Sequence, residues 1–480
     1  MQIIRPSRAR SHAPGRALRG AAFVLLSVIA TPLAAQSADS LDLPLGRALE
    51  LARGGEEVGL AARRLDAATA AVGSARAAGM PSVRLNSTFS HTYENARAQA
   101  VGQIFNQPNT YNTNATLSVP LFQGGRVRNA TRAAASLRDA ATAEVAGAEL
   151  DVTLQTLDAY LAAQLSERLV RIQEGNLQLA EAQVRQAEQF EAGGRGSRYD
   201  VLRARVQRSN LVPPLIQARG DRDVALQELR RLTNLPPEQP LRLSTELDPA
   251  AVRTLSEQMA GAALVDSAAL EALPAVRAAR LRALAGDANS RAARAARLPT
   301  VSVNLVQGYQ AFPLDWSLPV RSGGLETVEC PDGSEAGRVC TQQNGGWFSD
   351  RSLQVAVNWP VWDGNRARND LRQVRAQAAI ADLQAVQAAE NARADASRAR
   401  TRMDAARATF DAVTQTVAEA EEAFRLASLR YARGLGTQLE VSDAQLALLT
   451  ARTNEARATF DLYLASAELA RALGRPVPAP

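Results

Sequence analysis

The chain repeats itself, and the repeat constrains its fold more than any other feature. Ala75-Arg-Ala-Ala-Gly-Met-Pro-Ser-Val-Arg-Leu-Asn86 returns 218 residues later as Ala293-Arg-Ala-Ala-Arg-Leu-Pro-Thr-Val-Ser-Val-Asn304. Val119-Pro-Leu-Phe-Gln-Gly-Gly-Arg-Val-Arg-Asn129 returns 240 residues later as Trp359-Pro-Val-Trp-Asp-Gly-Asn-Arg-Ala-Arg-Asn369. The offset of 240 then holds for Arg132 and Arg372, Gly196 and Gly436, Ser197 and Thr437, Arg231 and Arg471, and Pro236 and Pro476. A constant offset over more than a hundred residues means no net insertion, as rigid paired elements require. The change from 218 to 240 puts 22 extra residues between Asn304 and Pro360, where Cys330 and Cys340 lie.

Each copy reads helix, strand, strand, long helix, helix. The boundaries are a first repeat over 36–263 and a second over 264–480. Strands are expected at about 82–95, 109–121, 300–311 and 351–362, all with period-two alternation. In the first, Val83, Leu85, Phe89 and Tyr93 alternate with Arg84, Asn86, Thr88, Ser90 and Glu94. In the second, Tyr111, Ala115, Leu117, Val119 and Leu121 alternate with Thr110, Asn112, Asn114, Thr116 and Ser118. The third and fourth follow suit, with Val306 an exception. Each run is long enough to cross a hydrocarbon layer at a tilt, which takes ~9–11 residues. A polar face of Asn, Ser, Thr and Gln suits a water-filled lumen better than the inside of a soluble sandwich.

Long helices are expected over 126–192 and 366–433, stretches free of proline, followed by helices over 197–235 and 437–473. Leu150, Leu154, Leu157, Leu161, Leu165, Leu169 and Ile172 recur at steps of three and four, as coiled-coil core does. These stripes are scaffold. Residues 236–263 form an insertion between the copies.

Composition removes several function classes. All 55 basic residues are Arg, so Schiff-base chemistry and a phosphate-loop Lys are excluded. His12 and His91 are the only histidines, too few for an imidazole metal site or a His relay. No metal, cofactor or catalytic residue is expected; the chain reads as no enzyme. The net charge of +6 is a leader effect: residues 1–35 hold five Arg and no acid, leaving 50 basic against 49 acidic residues. Nucleic acid is therefore not an expected partner. That leader, with the apolar run Ala21–Ala30 and Ala34-Ala35 before Gln36, reads as a cleaved signal peptide. No Cys follows it, so lipidation at the new N-terminus is not expected. In an exported chain, the two cysteines favour a Cys330–Cys340 disulfide, with Pro331-Asp-Gly333 able to turn the chain back.

Four membrane strands cannot stand alone, because open edges in hydrocarbon leave backbone groups unsatisfied. Eight strands would make a barrel filled by its own side chains; three chains would give twelve strands and a lumen.

At this point the chain resembles the TolC-family outer-membrane factors, the exit ducts of tripartite efflux pumps and type I secretion systems. The resemblance rests on three features taken in order. They are the duplication; the strand-end turns at Pro120, Phe122, Gly124 and Gly125 and at Pro360, Trp362 and Gly364; and the glycine turns at Gly193, Gly194, Gly196 and Ser197 and at Gly434, Gly436 and Thr437. It implies a homotrimer in outer-membrane lipid, with a 12-stranded β-barrel continued by an antiparallel α-helical coiled-coil tunnel through the periplasm. It also implies a periplasmic adaptor (a membrane fusion protein) and an inner-membrane pump as partners, and an equatorial girdle to which the 236–263 insertion contributes. A periplasmic coiled-coil adaptor or scaffold is the alternative; it would show lipoyl-like and barrel modules between its helical arms, and the sequence has neither.

Ser197-x-x-Asp200 and Thr437-x-x-Glu440 have capping-box spacing. As caps, these carboxylates need no further role. By resemblance, acidic residues after the second turn line the closed entrance; Glu440 and Asp443 match that spacing, with Glu where Asp is usual. Asp200, Glu440 and Asp443 would then concentrate charge at a narrowing, with Arg203, Arg205 or Arg198 as counter-charges. The glycine turns would dock the adaptor.

Overall fold

The computed structural model describes residues 40–94, 96–101, 108–261, 267–313, 316, 318, 322–329, 339–343 and 346–476. The signal peptide and Cys330 lie outside the described residues. In chain order the elements are β1 (Leu41–Leu43), α1 (Leu45–Arg53), α2 (Glu56–Ala77), β2 (Ser82–His91), α3 (Ala96–Val101), β3 (Asn109–Phe122), α4 (Arg126–Ala192), α5 (Arg198–Asn210), α6 (Val212–Leu232), β4 (Leu241–Leu243), α7 (Pro249–Gly261), α8 (Ser267–Ala272) and α9 (Pro274–Arg294). There follow β5 (Thr300–Ala311), β6 (Leu325–Glu329), β7 (Val339–Gln343), β8 (Trp347–Asn358), α10 (Arg366–Ala432) and α11 (Gln438–Ala472).

Backbone geometry repeats with the sequence. Gly124 and Gly364, Gly125 and Asn365, Gly194 and Gly434, and Asn234 and Gly474 all have positive φ, each pair 240 residues apart. The left-handed conformation costs a side chain energy, so Gly and Asn recur where the chain turns from strand to helix and from helix to helix.

Three elements differ from the sequence reading by more than a residue. The helix expected over 197–235 is two helices, broken at Leu211, because Pro213 and Pro214 cannot donate to the preceding turn. The fourth strand runs over Trp347–Asn358 and not 351–362, since Pro360 cannot continue a ladder. The first strand ends at His91 rather than 95, and Thr92 N–H still reaches the Pro108 carbonyl at 2.8 Å.

β2, β3, β5 and β8 form one antiparallel sheet in that order. α4 and α10 run away from it for 67 residues each, ~100 Å at ~1.5 Å per residue. Near the sheet, α2 and α9 pack along α4, and α9 also along α10; small residues allow close approach, as at Gly286, where an added Cβ would sit 3.1 Å from the Ala378 Cα. Farther out, α5 and α6 return along α4, and α11 along α10. Midway, β1 pairs in parallel with β4, and their loops seat on α4 and α11. Tyr160 anchors this waist: its hydroxyl donates to the Leu43 carbonyl at 2.8 Å and accepts from Thr245 N–H at 3.3 Å. The sequence reading placed only 236–263 at this level and missed β1 and α1.

Candidate functional site

The sheet register keeps like faces together. Val83 lies opposite Leu117, Leu117 opposite Leu305, and Leu305 opposite Leu353, while Val303 faces both Val119 and Val355. On the other face Asn86 meets Asn114, Ser118 meets Asn304, and Asn304 meets Gln354. The apolar face is bare in one chain: Val83 is 74% exposed, Leu85 71% and Leu353 70%. A contiguous apolar patch of this kind marks a surface that meets lipid or another chain.

Aromatic rings border the apolar band. Phe122, Trp359 and Trp362 stand at the helix end, with Trp359 Nε1 donating to the Arg297 carbonyl at 3.3 Å. At the opposite rim Phe89 and Tyr111 rings are 4.7 Å apart, Tyr111 and Trp347 6.3 Å, and His91 stacks on Trp316 at 4.5 Å. Two aromatic girdles about an apolar belt are the pattern of a membrane barrel wall. No described helix is long and apolar enough to cross a membrane.

At the far tip both hairpins turn alike. Arg195 and Gly196 N–H groups bond the Phe190 carbonyl at 2.8 and 3.0 Å, and Leu435 N–H bonds the Arg430 carbonyl at 2.9 Å. Phe190 and Tyr431 rings pack 5.5 Å apart, holding the two turns together. Burial, and then the Asp200 charge, push the Tyr431 hydroxyl pKa up. Asp200 closes a full capping box: its N–H reaches Ser197 Oγ at 3.2 Å and its carboxylate accepts from Ser197 N–H at 3.3 Å. Glu440 N–H reaches Thr437 Oγ1 at 3.3 Å, and Arg430 lies 3.9 Å from the Glu440 carboxylate.

The structure brings the proposed charges together only in part. Arg205 pairs with Glu188 at 2.6 Å, within its own hairpin. Arg203, Arg198 and Asp443 make no ion pair among the described residues of one chain. Missed by the sequence reading is a buried seam of neutral polar groups between the hairpins. Gln445 Nε2 donates to the Asn176 carbonyl at 3.1 Å and to its side-chain oxygen, and Ser442 Oγ donates to Gln207 Oε1. One heptad nearer the tip, Gln183 and Gln438 are buried at 7% and 2% exposure, and Gln183 Nε2 and both Gln438 amide atoms lack partners. Asn176 and Gln183, seven residues apart and replacing the Leu stripe, were the available signal.

The described residues contain no group of three or more His, Cys, Asp or Glu placed to hold a metal. An open cleft at the waist, between α4, α11 and the segment after β4, carries Arg168 and Arg452. Arg168 pairs with Glu455 at 3.5 Å and Arg452 with Glu421 at 2.8 Å, and Arg171 lines the same cleft.

A bare apolar band ringed by aromatics, a polar opposite face and helices ~100 Å long define a barrel-and-tunnel protein of the outer membrane. Residues 56–235 and 265–475 match the family of outer membrane efflux proteins, one stretch per copy, and the chain belongs to that family. It is 25% identical over 369 residues to the outer membrane efflux protein BepC of Brucella suis biovar 1 (strain 1330), covering 76% of this chain and 73% of that one. It is 23% identical over 435 residues to the cobalt-zinc-cadmium resistance protein CzcC of Cupriavidus metallidurans, covering 90% of each. The fold matches the outer membrane protein VceC of Vibrio cholerae with a TM-score of 0.68 at 21% identity, over 90% of this chain and 97% of that one. It matches the Campylobacter jejuni CmeC outer membrane channel with a TM-score of 0.72 at 15% identity, over 90% and 85%. The chain is an outer-membrane efflux channel with a helical periplasmic extension, and the coiled-coil adaptor reading falls away.

Proposed function

We propose that three copies close a twelve-stranded barrel in outer-membrane lipid and continue as one tunnel through the periplasm. The assembly is a passive exit duct, opened by a periplasmic adaptor for an inner-membrane pump. One observation carries this reading: a four-stranded sheet with an apolar outer face, a polar inner face and two free edges, β2 and β8. Hydrocarbon does not tolerate those edges, and four strands cannot close on themselves. In the assembly Asp200, Glu440 and Asp443 surround the tunnel entrance, and the turns at Gly193, Gly194, Gly196, Gly434 and Gly436 receive the adaptor. Chemical crosslinking of the detergent-extracted protein is expected to stop at three chains. A dominant monomer or dimer with native circular dichroism overturns the reading.

The signal peptide is cleaved and the mature N-terminus carries no lipid. Cys330 and Cys340 form a disulfide that pins the loop between β5 and β8 on the exterior side. Such a loop closure contributes ~2–3 kcal/mol to stability. Mass spectrometry of protein exported under oxidising conditions is expected to find neither thiol alkylated before reduction and both after it; two free thiols refute the bridge.

A further inference from the structure

The lipid-facing side of the sheet is not apolar throughout. The odd-numbered residues of β2, β3, β5 and β8 share it. Toward the helices it is wholly aliphatic: Val119 lies opposite Val303 and Val303 opposite Val355, and the next row outward is Val83, Leu117, Leu305 and Leu353. Toward the exterior it turns polar, first on β5 and β8. Gln307 lies opposite Arg351, Tyr309 opposite Ser349, and Thr113 opposite both Tyr309 and Ser87. Ser87 Oγ and Thr113 Oγ1 share a hydrogen bond of 2.9 Å. The rings of Phe89, Tyr111 and Trp347 then close the face. The half of the wall that meets the outer leaflet thus carries polar groups that the inner half lacks.

Arg351 is the one permanent charge on this face, for the odd-numbered residues of the four strands include no other Arg and no Asp or Glu. It is exposed, and among the described residues it has no ion-pair partner. Closing the barrel supplies none either, because every strand of the wall is a copy of one of these four. Along β8, Arg351 lies four residues from Trp347 and eight from Trp359. At ~3.4 Å per residue and a tilt of ~40°, its Cα sits ~10 Å below the outer girdle, one row outward of mid-height. A guanidinium left unpaired in hydrocarbon is costly, so its side chain has reason to lean outward past Ser349 to the headgroups. There a phosphate meets its needs: the planar fork gives two N–H groups to phosphate oxygens, and the Gln307 amide and Ser349 hydroxyl are donors beside it. The polar row continues across β5 and β3 to Ser87 on β2, ~14 Å at ~4.8 Å per strand, with its charge at one end. That is wider than one phosphodiester headgroup and suits a phosphorylated sugar with its hydroxyls. We propose that Arg351, flanked by Gln307 and Ser349, binds a phosphate of an outer-leaflet glycolipid on the outer wall of the barrel, one site per copy. This rests on the three-copy reading above and gives that barrel a lipid ligand.

The probe is lipid A, a doubly phosphorylated glycolipid, added to the delipidated protein in mild detergent and counted by native mass spectrometry. Wild type is expected to take up one per copy. Arg351→Gln is expected to bind about fivefold less at equal lipid, the share that one cation contributes at a membrane surface. That variant removes a charge from a lipid-facing wall, so assembly is retained. Arg84→Gln makes the same change on the lumen face, opposite Thr116, and is expected to bind as wild type. Dephosphorylated lipid A and phosphatidylglycerol are expected to compete poorly, and these two arms need no variant. Wild-type binding by Arg351→Gln overturns the site, and an equal fall in Arg84→Gln overturns it as a bulk charge effect. Equal uptake of the dephosphorylated lipid overturns phosphate as the group recognised; equal uptake of phosphatidylglycerol overturns the glycolipid as occupant. A protein monomeric by native mass before lipid is added overturns the three-copy reading instead.

Discussion

Leu305→Arg is expected to remove the protein from the outer membrane, while Asn304→Asp, the adjacent residue on the opposite face, leaves assembly intact. Leu305 sits between Leu117 and Leu353 in the middle of the apolar face, away from both girdles. An Arg at the bilayer midplane of a barrel costs ~2–4 kcal/mol, and three copies incur it together. The total rivals the whole stability of an ordinary domain, ~5–15 kcal/mol. Asn304 faces Ser118 and Gln354 on the polar side, where a carboxylate keeps its water. Fractionation of membranes from cells expressing each variant, with trimer detected by semi-native electrophoresis, reads the result. Leu305→Arg appearing in the outer membrane at wild-type level means that this face does not meet lipid. The Asn304→Asp channel is expected to favour cations more than wild type in a planar bilayer.

The alternation that makes this experiment possible is legible in the sequence. Period two is imposed by the strand itself, so Val83, Leu85, Leu117 and Val303 declared their face at once. The long helices were equally plain, because proline is absent from them and stripes of Leu recur. Strand and helix ends were less so. Pro213 and Pro214 stand within an otherwise helical pattern, and the sequence reading ran through them although a missing N–H breaks the ladder there. The bridge between Ser322 and β8 was beyond reach, since Ser322 and Gly323 meet Trp347 through backbone groups that every residue has. At the tip, caps could be read from spacing, and Asp200 forms the box that Ser197-x-x-Asp200 announces. Which Arg meets which acid could not, because long side chains on an exposed helix have several partners in range; Arg205 takes Glu188. The polar seam was missed for another reason. A Gln in a helix is ordinarily a surface residue, and only the packing of α11 on α4 shows that Gln445 and Gln438 are buried.

That seam changes the expected balance of forces at the tip. Exposed ion pairs contribute ~0–1 kcal/mol each, so neutralising Glu440 and Asp443 (Glu440→Gln with Asp443→Asn) is expected to weaken cation selectivity and divalent block with little change in open probability. Arg203→Ala is likewise expected to have a small effect. Buried hydrogen bonds weigh more. Removing one partner strands the other at ~1–3 kcal/mol. Gln445→Leu leaves the Asn176 side-chain oxygen buried and unpaired while the hairpins are closed, but free to bind water once they part; loss of Gln445 Oε1, itself without a partner, offsets part of that cost. The closed state is penalised on balance, and ~1.4 kcal/mol is a tenfold shift, so open probability is expected to rise by up to about tenfold. Gln183→Leu with Gln438→Leu has the opposite sign. Gln183 Nε2 and both Gln438 amide atoms lack partners already, and apolar groups of similar size relieve the closed state of a burden that water lifts in the open one. That double variant is expected to hold the channel shut longer than wild type. Single-channel recording in a planar bilayer reads both arms. If Gln445→Leu stays closed while the carboxylate or Arg203 variants open the channel, exposed charges hold the entrance and the buried amides only pack the hairpins.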